Sequence, residues 1–295
     1  MKTLIIILAM MLSGCALDIS DFKPQTEGSP TIPDITKTPE ELLEEAINEL
    51  KDSTLEEEMD FSYLDARMVN GDPEDVIQED DGTFSLSLNQ GGDSDEYVQT
   101  DTDLAALENF SLNIWFQTDD PTAIQTIFWQ GVGDQNGWGA GTHNNTKAEF
   151  NVNLNHWSDT TGQVLAAFYG YNEGADNSLG SGELLPVSFP ITRNPADGSY
   201  VLTGPTVSYG TNWNHLVVSV NQDISSTEIA VYFNGELMQA QIGTQVDNSQ
   251  WDTLFRIGRP GTDTRKFSGK VSNYMLFDKV LSAEEVHDLY LYGRH

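Results

Sequence analysis

The sequence is poor in cysteine and in positive charge. One cysteine in 295 residues rules out an intrachain disulfide and a cysteine-rich zinc site. Fourteen basic against 46 acidic residues, a formal net charge of −32, argue against binding nucleic acid through its phosphates. The same balance argues against electrostatic docking on anionic lipid. No Gly-x-Ser-x-Gly elbow and no phosphate-cradling glycine loop occur. The five histidines, His143, His156, His215, His287 and His295, have no metal-ligand spacing. Paired carboxylates of the Glu-x-Asp-x-Glu kind, which put an acid and a nucleophile on one face of a strand, are missing from every strand-like segment. These absences point away from an enzyme. Hydrophobic residues at 38%, with six Trp, ten Tyr and thirteen Phe, nevertheless supply a substantial core.

The apolar run Leu4–Leu12 is too short to span a bilayer, which takes about 20 apolar residues. It ends in Leu12-Ser13-Gly14-Cys15, which resembles a bacterial lipobox. That resemblance implies removal of residues 1–14, a diacylglycerol on Cys15, and anchoring by acyl chains. Ala16 after Cys15, in place of Asp, implies the outer membrane, with the side faced left open.

Residues 15–37 then read as a lipid-anchored, self-repelling linker. A helix follows over 38–52, with Thr38 as N-cap, Pro39 at its first position and Glu41 completing a capping box. Leu42, Leu43, Ala46, Ile47 and Leu50 form one stripe, which either packs on the following domain or mediates oligomerisation. Residues 53–82 read as an acidic lead-in, and residues 18–103 hold 26 of the 46 acidic residues.

From residue 83 to 295 the apolar period is two. Phe84/Leu86/Leu88, Phe110/Leu112/Ile114/Phe116, Phe150/Val152/Leu154 and Ile229/Val231/Phe233 alternate with other residues. Asn234-Gly235 is a hairpin turn, and Ser282 with Glu285 caps a last short helix. The fold class is all-β, an antiparallel two-sheet jelly-roll sandwich behind a signal peptide, an acidic linker and a short helix.

Phe110-Ser-Leu-Asn-Ile-Trp115, Trp213-Asn-His215, Val231-Tyr-Phe-Asn-Gly235, Ile257-Gly258-Arg259, Phe267-Ser-Gly269-Lys-Val271 and Val280-Leu281-Ser282 occur in that order. The succession resembles the laminin G-like, concanavalin A-like lectin/glucanase jelly rolls. The resemblance implies two facing sheets, one concave, with ligands on the concave face or on loops at one edge. It implies a glycan or protein binder that catalyses nothing, with a scaffold that docks proteins, or a glycan-active hydrolase or lyase, as alternatives. Relatives commonly hold a structural calcium ion with an acidic residue where this chain has Ser272, which puts that ion in doubt. Asp93 and Asp95 are the remaining calcium candidates.

If Phe150, Val152 and Leu154 face the core, Asn151, Asn153, Asn155 and Trp157 share the other face. An exposed row of amides ending in an indole suits a sugar: amides exchange hydrogen bonds with hydroxyls and a flat ring packs on a pyranose C–H face. Trp138, Tyr169 and Tyr171 complete this candidate site. The basic set Arg256, Arg259, Arg265, Lys266 and Lys270 reads as a solvated loop, or as a dock for the acidic segment or an anionic polysaccharide. His215 reads as a packing residue. The stretch 172–205 reads as an insertion.

Overall fold

The computed structural model describes residues 37–59, 61, 67–89, 95–131, 149–155, 165–170, 184–189, 191–193, 200–202, 212–244, 248, 251, 253–261 and 265–294. The chain divides into two compact units, 1–46 and 47–295. In the first, Thr38 and Glu41 exchange both bonds of a capping box: Thr38 N donates to Glu41 Oε2 (2.6 Å) and Glu41 N to Thr38 Oγ1 (3.2 Å). They open a helix, Pro39–Thr54, whose last two turns belong to the second unit. There Ile47 and Leu50 are buried, and Lys51 pairs with Glu58 (2.6 Å) and lies over the Tyr292 ring. The half of the stripe in this unit is thus spent on packing. No helix among the described residues is long and apolar enough to cross a membrane.

The strands of the second unit are β1 (Leu55–Met59), β2 (Met68–Val69), β3 (Val76–Gln78), β4 (Phe84–Leu88), β5 (Tyr97–Gln99) and β6 (Asn109–Thr118). Next come β7 (Gln125–Gly131), β8 (Glu149–Leu154), β9 (Leu165–Gly170), β10 (Leu184–Phe189), β11 (Ile191–Arg193) and β12 (Tyr200–Leu202). The last are β13 (Asn214–Gln222), β14 (Ser226–Phe233), β15 (Glu236–Thr244), β16 (Arg256–Ile257) and β17 (Gly269–Phe277), before a helix over Ala283–Tyr292.

Among the described residues these form an eight-stranded sheet in the order β15-β14-β13-β6-β17-β4-β3, with β1 also paired to β17. A seven-stranded sheet runs β10-β9-β8-β7-β16-β5-β2. All of these pairings are antiparallel. The sheets face each other across one core, because alternation sends Phe110, Leu112, Ile114 and Phe116 of the first towards Phe128, Phe150 and Val152 of the second. The rings of Phe110 and Phe150 meet edge to face with centroids 5.9 Å apart. The fold is the all-β antiparallel sandwich expected from the sequence.

The expected boundary at residue 83 is corrected. Residues 53–82 contribute β1, β2 and β3, and Met59 and Phe61 are part of the core. The reason is that Glu57, in the middle of an acidic run, is matched by Arg67 (2.6 Å) and by the Thr102 hydroxyl (2.7 Å), so the strand closes against β17.

Candidate functional site

The outer face of the seven-stranded sheet, turned away from the core, gathers a polar and aromatic row. Gln99, Arg256, Trp129 and Asn151 stand opposite one another on β5, β16, β7 and β8. Their neighbours Val98, Ile257, Phe128 and Val152 fill the core, so period-two alternation sends this row outward. The Arg256 guanidinium lies over both the Trp129 and Tyr97 rings, 5.2 Å from each centroid, and its Nε donates to Gln99 Oε1 (3.2 Å). The Arg259 guanidinium lies 5.0 Å from the same Tyr97 ring. The result is a ladder of guanidinium and ring, Arg259–Tyr97–Arg256–Trp129, running from a part-exposed end to a buried one. Cation–π stacking of this kind fixes the position and direction of a guanidinium.

The expected exposure of the asparagine row is corrected: Asn151 and Asn153 are 0% exposed and Asn155 2%. Asn155 is a turn residue with φ 54°, whose Nδ2 donates to the carbonyls of Pro121 (2.7 Å) and Ala123 (2.9 Å). Asn153 Oδ1 accepts from the Thr126 hydroxyl (2.7 Å), while its Nδ2 has no hydrogen-bond partner among the described residues. Tyr169 lies in β9, in register with Phe150 of β8. Trp138, Trp157, Tyr171, Cys15 and Asp93 lie outside the described residues.

The basic set is not a solvated loop. Asp95 carries Lys266 (2.7 Å) and Arg259 (3.2 Å), and Glu79 carries Lys270 (3.0 Å). The Lys266 hydrogen bond, with the charge of Arg259, holds the Asp95 carboxyl below the usual carboxylate range. Glu79 belongs to the acidic lead-in before the expected domain, one of the docks the sequence suggested, whereas Asp95 lies inside that domain.

Of the two calcium candidates, Asp93 lies outside the described residues and Asp95 is already paired. Asp95 sits between two cations, where a divalent metal would be repelled. Ser272 is buried in β17 and its hydroxyl donates to Phe84 O (2.6 Å). Among the described residues no three His, Cys, Asp or Glu side chains gather into a metal cluster.

His215 lies in the other sheet, on the face turned away from the core. It is buried between Trp115 and Tyr290, with ring centroids 5.0 and 5.7 Å away, and its Nε2 is 2.6 Å from Asn113 Oδ1. Burial lowers its pKa to about 3, which makes it a packing residue and a poor general base at neutral pH.

Residues 172–287 match the profile of the Concanavalin A-like lectin/glucanases superfamily. No curated protein matches the chain in sequence. Among solved structures, the Ruminococcus gnavus IT-sialidase CBM40 bound to alpha2,3 sialyllactose is 18% identical, with 62% of this chain and 83% of that one covered and a TM-score of 0.42. The botulinum neurotoxin serotype D ligand binding domain in complex with N-acetylneuraminic acid is 16% identical, with 84% and 53% covered and a TM-score of 0.49. The serotype D binding domain on its own is 18% identical, with 83% and 53% covered and a TM-score of 0.48. The chain spans about half the length of these neurotoxin domains.

Sequence reasoning found Arg256, Arg259 and Lys266 but not the rings that hold them. Tyr97 and Gln99 lie in a three-residue strand too short for alternation to stand out, and Trp129 was one aromatic among several in its stretch. The signal that joins them is the pairing of β5, β16 and β7, which is not local in sequence.

Proposed function

We propose that the protein is a lipid-anchored, non-catalytic carbohydrate-binding module of the bacterial outer membrane. Cys15 carries the lipid, residues 15–37 are the tether, and the sandwich binds a glycan at the part-exposed end of the outer face of the seven-stranded sheet. The observation that carries the reading is the guanidinium–aromatic ladder from Trp129 to Arg259, with Gln99 beside it. Guanidinium and amide groups donate to sugar hydroxyls, and the amide oxygen accepts from them. Held by rings, these donors lose little freedom on binding. The match of residues 172–287 to a lectin/glucanase profile supports the same reading. The absence of paired carboxylates from the strand-like segments supports binding without hydrolysis.

The test is a glycan array probed with the full chain in detergent micelles, beside Gln99→Ala, Trp138→Ala and Trp157→Ala. The expected result is binding to a defined set of glycans that falls about tenfold in the Gln99 variant, the loss of a hydrogen bond from a desolvated contact. Silence across the array would replace this reading with a scaffold that docks proteins. Release of product from a polysaccharide would replace it with an enzyme.

A further inference from the structure

Asp95 offers its carboxylate to a pair of cations that the fold has already fixed in place. Arg259 is held over Tyr97, Tyr97 is shared with Arg256, and Arg256 is backed by Trp129. Lys266 lies on the far side of the same carboxylate. The Asp95, Arg259 and Lys266 side chains are 41, 23 and 30% exposed, so the cluster is part-exposed, although Asp95 Oδ1, which faces Lys266, is itself buried. Four cations fall between positions 256 and 266 of a chain that has only 14 among 295 residues. A planar guanidinium beside an ammonium is the donor set that fits a carboxylate, by charge-assisted hydrogen bonds.

We propose that Arg259 and Lys266 form a subsite for the carboxylate of an acidic sugar, a uronic or sialic acid residue of a glycan, and that Asp95 occupies this subsite as an internal surrogate which the ligand's carboxylate displaces. The inference rests on the sugar-binding reading above and names the ligand class of that site. Exchange of one carboxylate for another leaves neither cation without a counter-charge, and the released Asp95 turns to water. Asp95 is ionised at neutral pH because Lys266 and Arg259 hold its carboxyl below the usual range, so it competes as an anion. Affinity is therefore set by a difference between two carboxylates, and removing the resident one strengthens binding.

The test uses the full chain in detergent micelles on glycans presented in pairs, each with its carboxylate free and as the methyl ester. Uronic and sialic acids form separate arms, with neutral glycans beside them. The free acids of one arm bind and their esters bind about tenfold more weakly, the loss of a charge-assisted contact. Arg259→Gln, and independently Lys266→Gln, weaken binding of the free acid by a similar factor. Asp95→Asn tightens it severalfold, and a gain cannot come from misfolding. Equal binding of acid and ester, or weaker binding by Asp95→Asn, overturns the inference and leaves the sugar-binding reading standing. A wild-type chain that binds no glycan of any arm overturns both.

Discussion

His215 is enclosed by Trp115, Tyr290 and Asn113, and the hydrogen-bond chain around it fixes its tautomer. Asn113 Nδ2 donates to Asn273 O (2.9 Å), so Asn113 turns its Oδ1 towards the ring and Nε2 carries the proton. Burial puts the folded-state pKa at about 3 against 6.5 for the free side chain. The proton is therefore taken up by the unfolded chain first. The stabilisation is complete above pH 6.5 and is lost as pH falls from there towards 3. Each pH unit in that window costs about 1.4 kcal/mol, so acidification from 6.5 to 5 should cost about 2 kcal/mol. Urea unfolding at pH 7 and pH 5 should show this loss in the wild type and a much smaller one in His215→Gln; equal losses would refute the assignment. Gly269 is a second residue-scale constraint. Its φ is 148°, and a Cβ there would stand 2.1 Å from Gln117 O, a backbone atom that cannot give way. Gly269→Ala should lower stability by about 2–4 kcal/mol in the same assay. The packing role of His215 was implied by the resemblance, whose members use that strand for packing, and the burial of the ring agrees with it. The burial of Asn151 and Asn153 was not legible: alternation says which face a residue takes, and nothing about what covers that face.

At the scale of elements, legibility followed locality. Strands β4, β6, β8 and β14 were readable because their inward positions are Phe, Leu, Ile and Val in strict alternation. The turn Asn234-Gly235 was readable because both residues take positive φ, 52° and 81°. Strand β1 was not, since Leu-Glu-Glu-Glu-Met carries three acids, and what orders it is β17, more than 200 positions later in sequence. The hairpin joins two sequence signals that looked separate. Asn234 accepts at Oδ1 from His215 N (2.9 Å), and a Cβ on Gly235 would meet Tyr290 Cδ1 of the last helix at 2.9 Å. Gly235→Ala therefore strains the turn and pushes on the helix together, at about 1–3 kcal/mol. Ser282→Ala removes only the hydroxyl that accepts from Glu285 N, at about 1 kcal/mol. Thermal unfolding of the two variants should rank them in that order. In the double variant the two costs should fall short of additivity, because both act on the seating of one helix.

Across the whole molecule, charge divides the chain into a stretch that repels itself and a body that uses part of that stretch. Residues 18–103 hold 26 acidic residues, and among the described residues three of them are matched by cations beyond residue 103: Glu79 by Lys270, Asp81 by Arg294, and Asp95 by Lys266 and Arg259. The acidic bias was legible from composition, but its partners depend on long-range contacts. Arg294, for example, reaches Asp81 while lying 4.2 Å from the Trp213 ring centroid. A chain of net charge −32 has no electrostatic reason to stay on an anionic bilayer, so the membrane location we propose calls for an apolar anchor. Acyl chains contribute about 0.8 kcal/mol per buried CH₂, and one chain alone holds a protein only marginally. A multiply acylated Cys15 meets that requirement, and it is the single thiol in the sequence. Cys15→Ser should therefore move the chain from the membrane fraction to the soluble fraction and abolish incorporation of labelled palmitate. The pH dependence assigned to His215 should be unaltered, since that ring is enclosed by Trp115, Tyr290 and Asn113. Retention in the membrane fraction without label would show that another apolar segment holds the protein, and the lipid-anchored reading would fall.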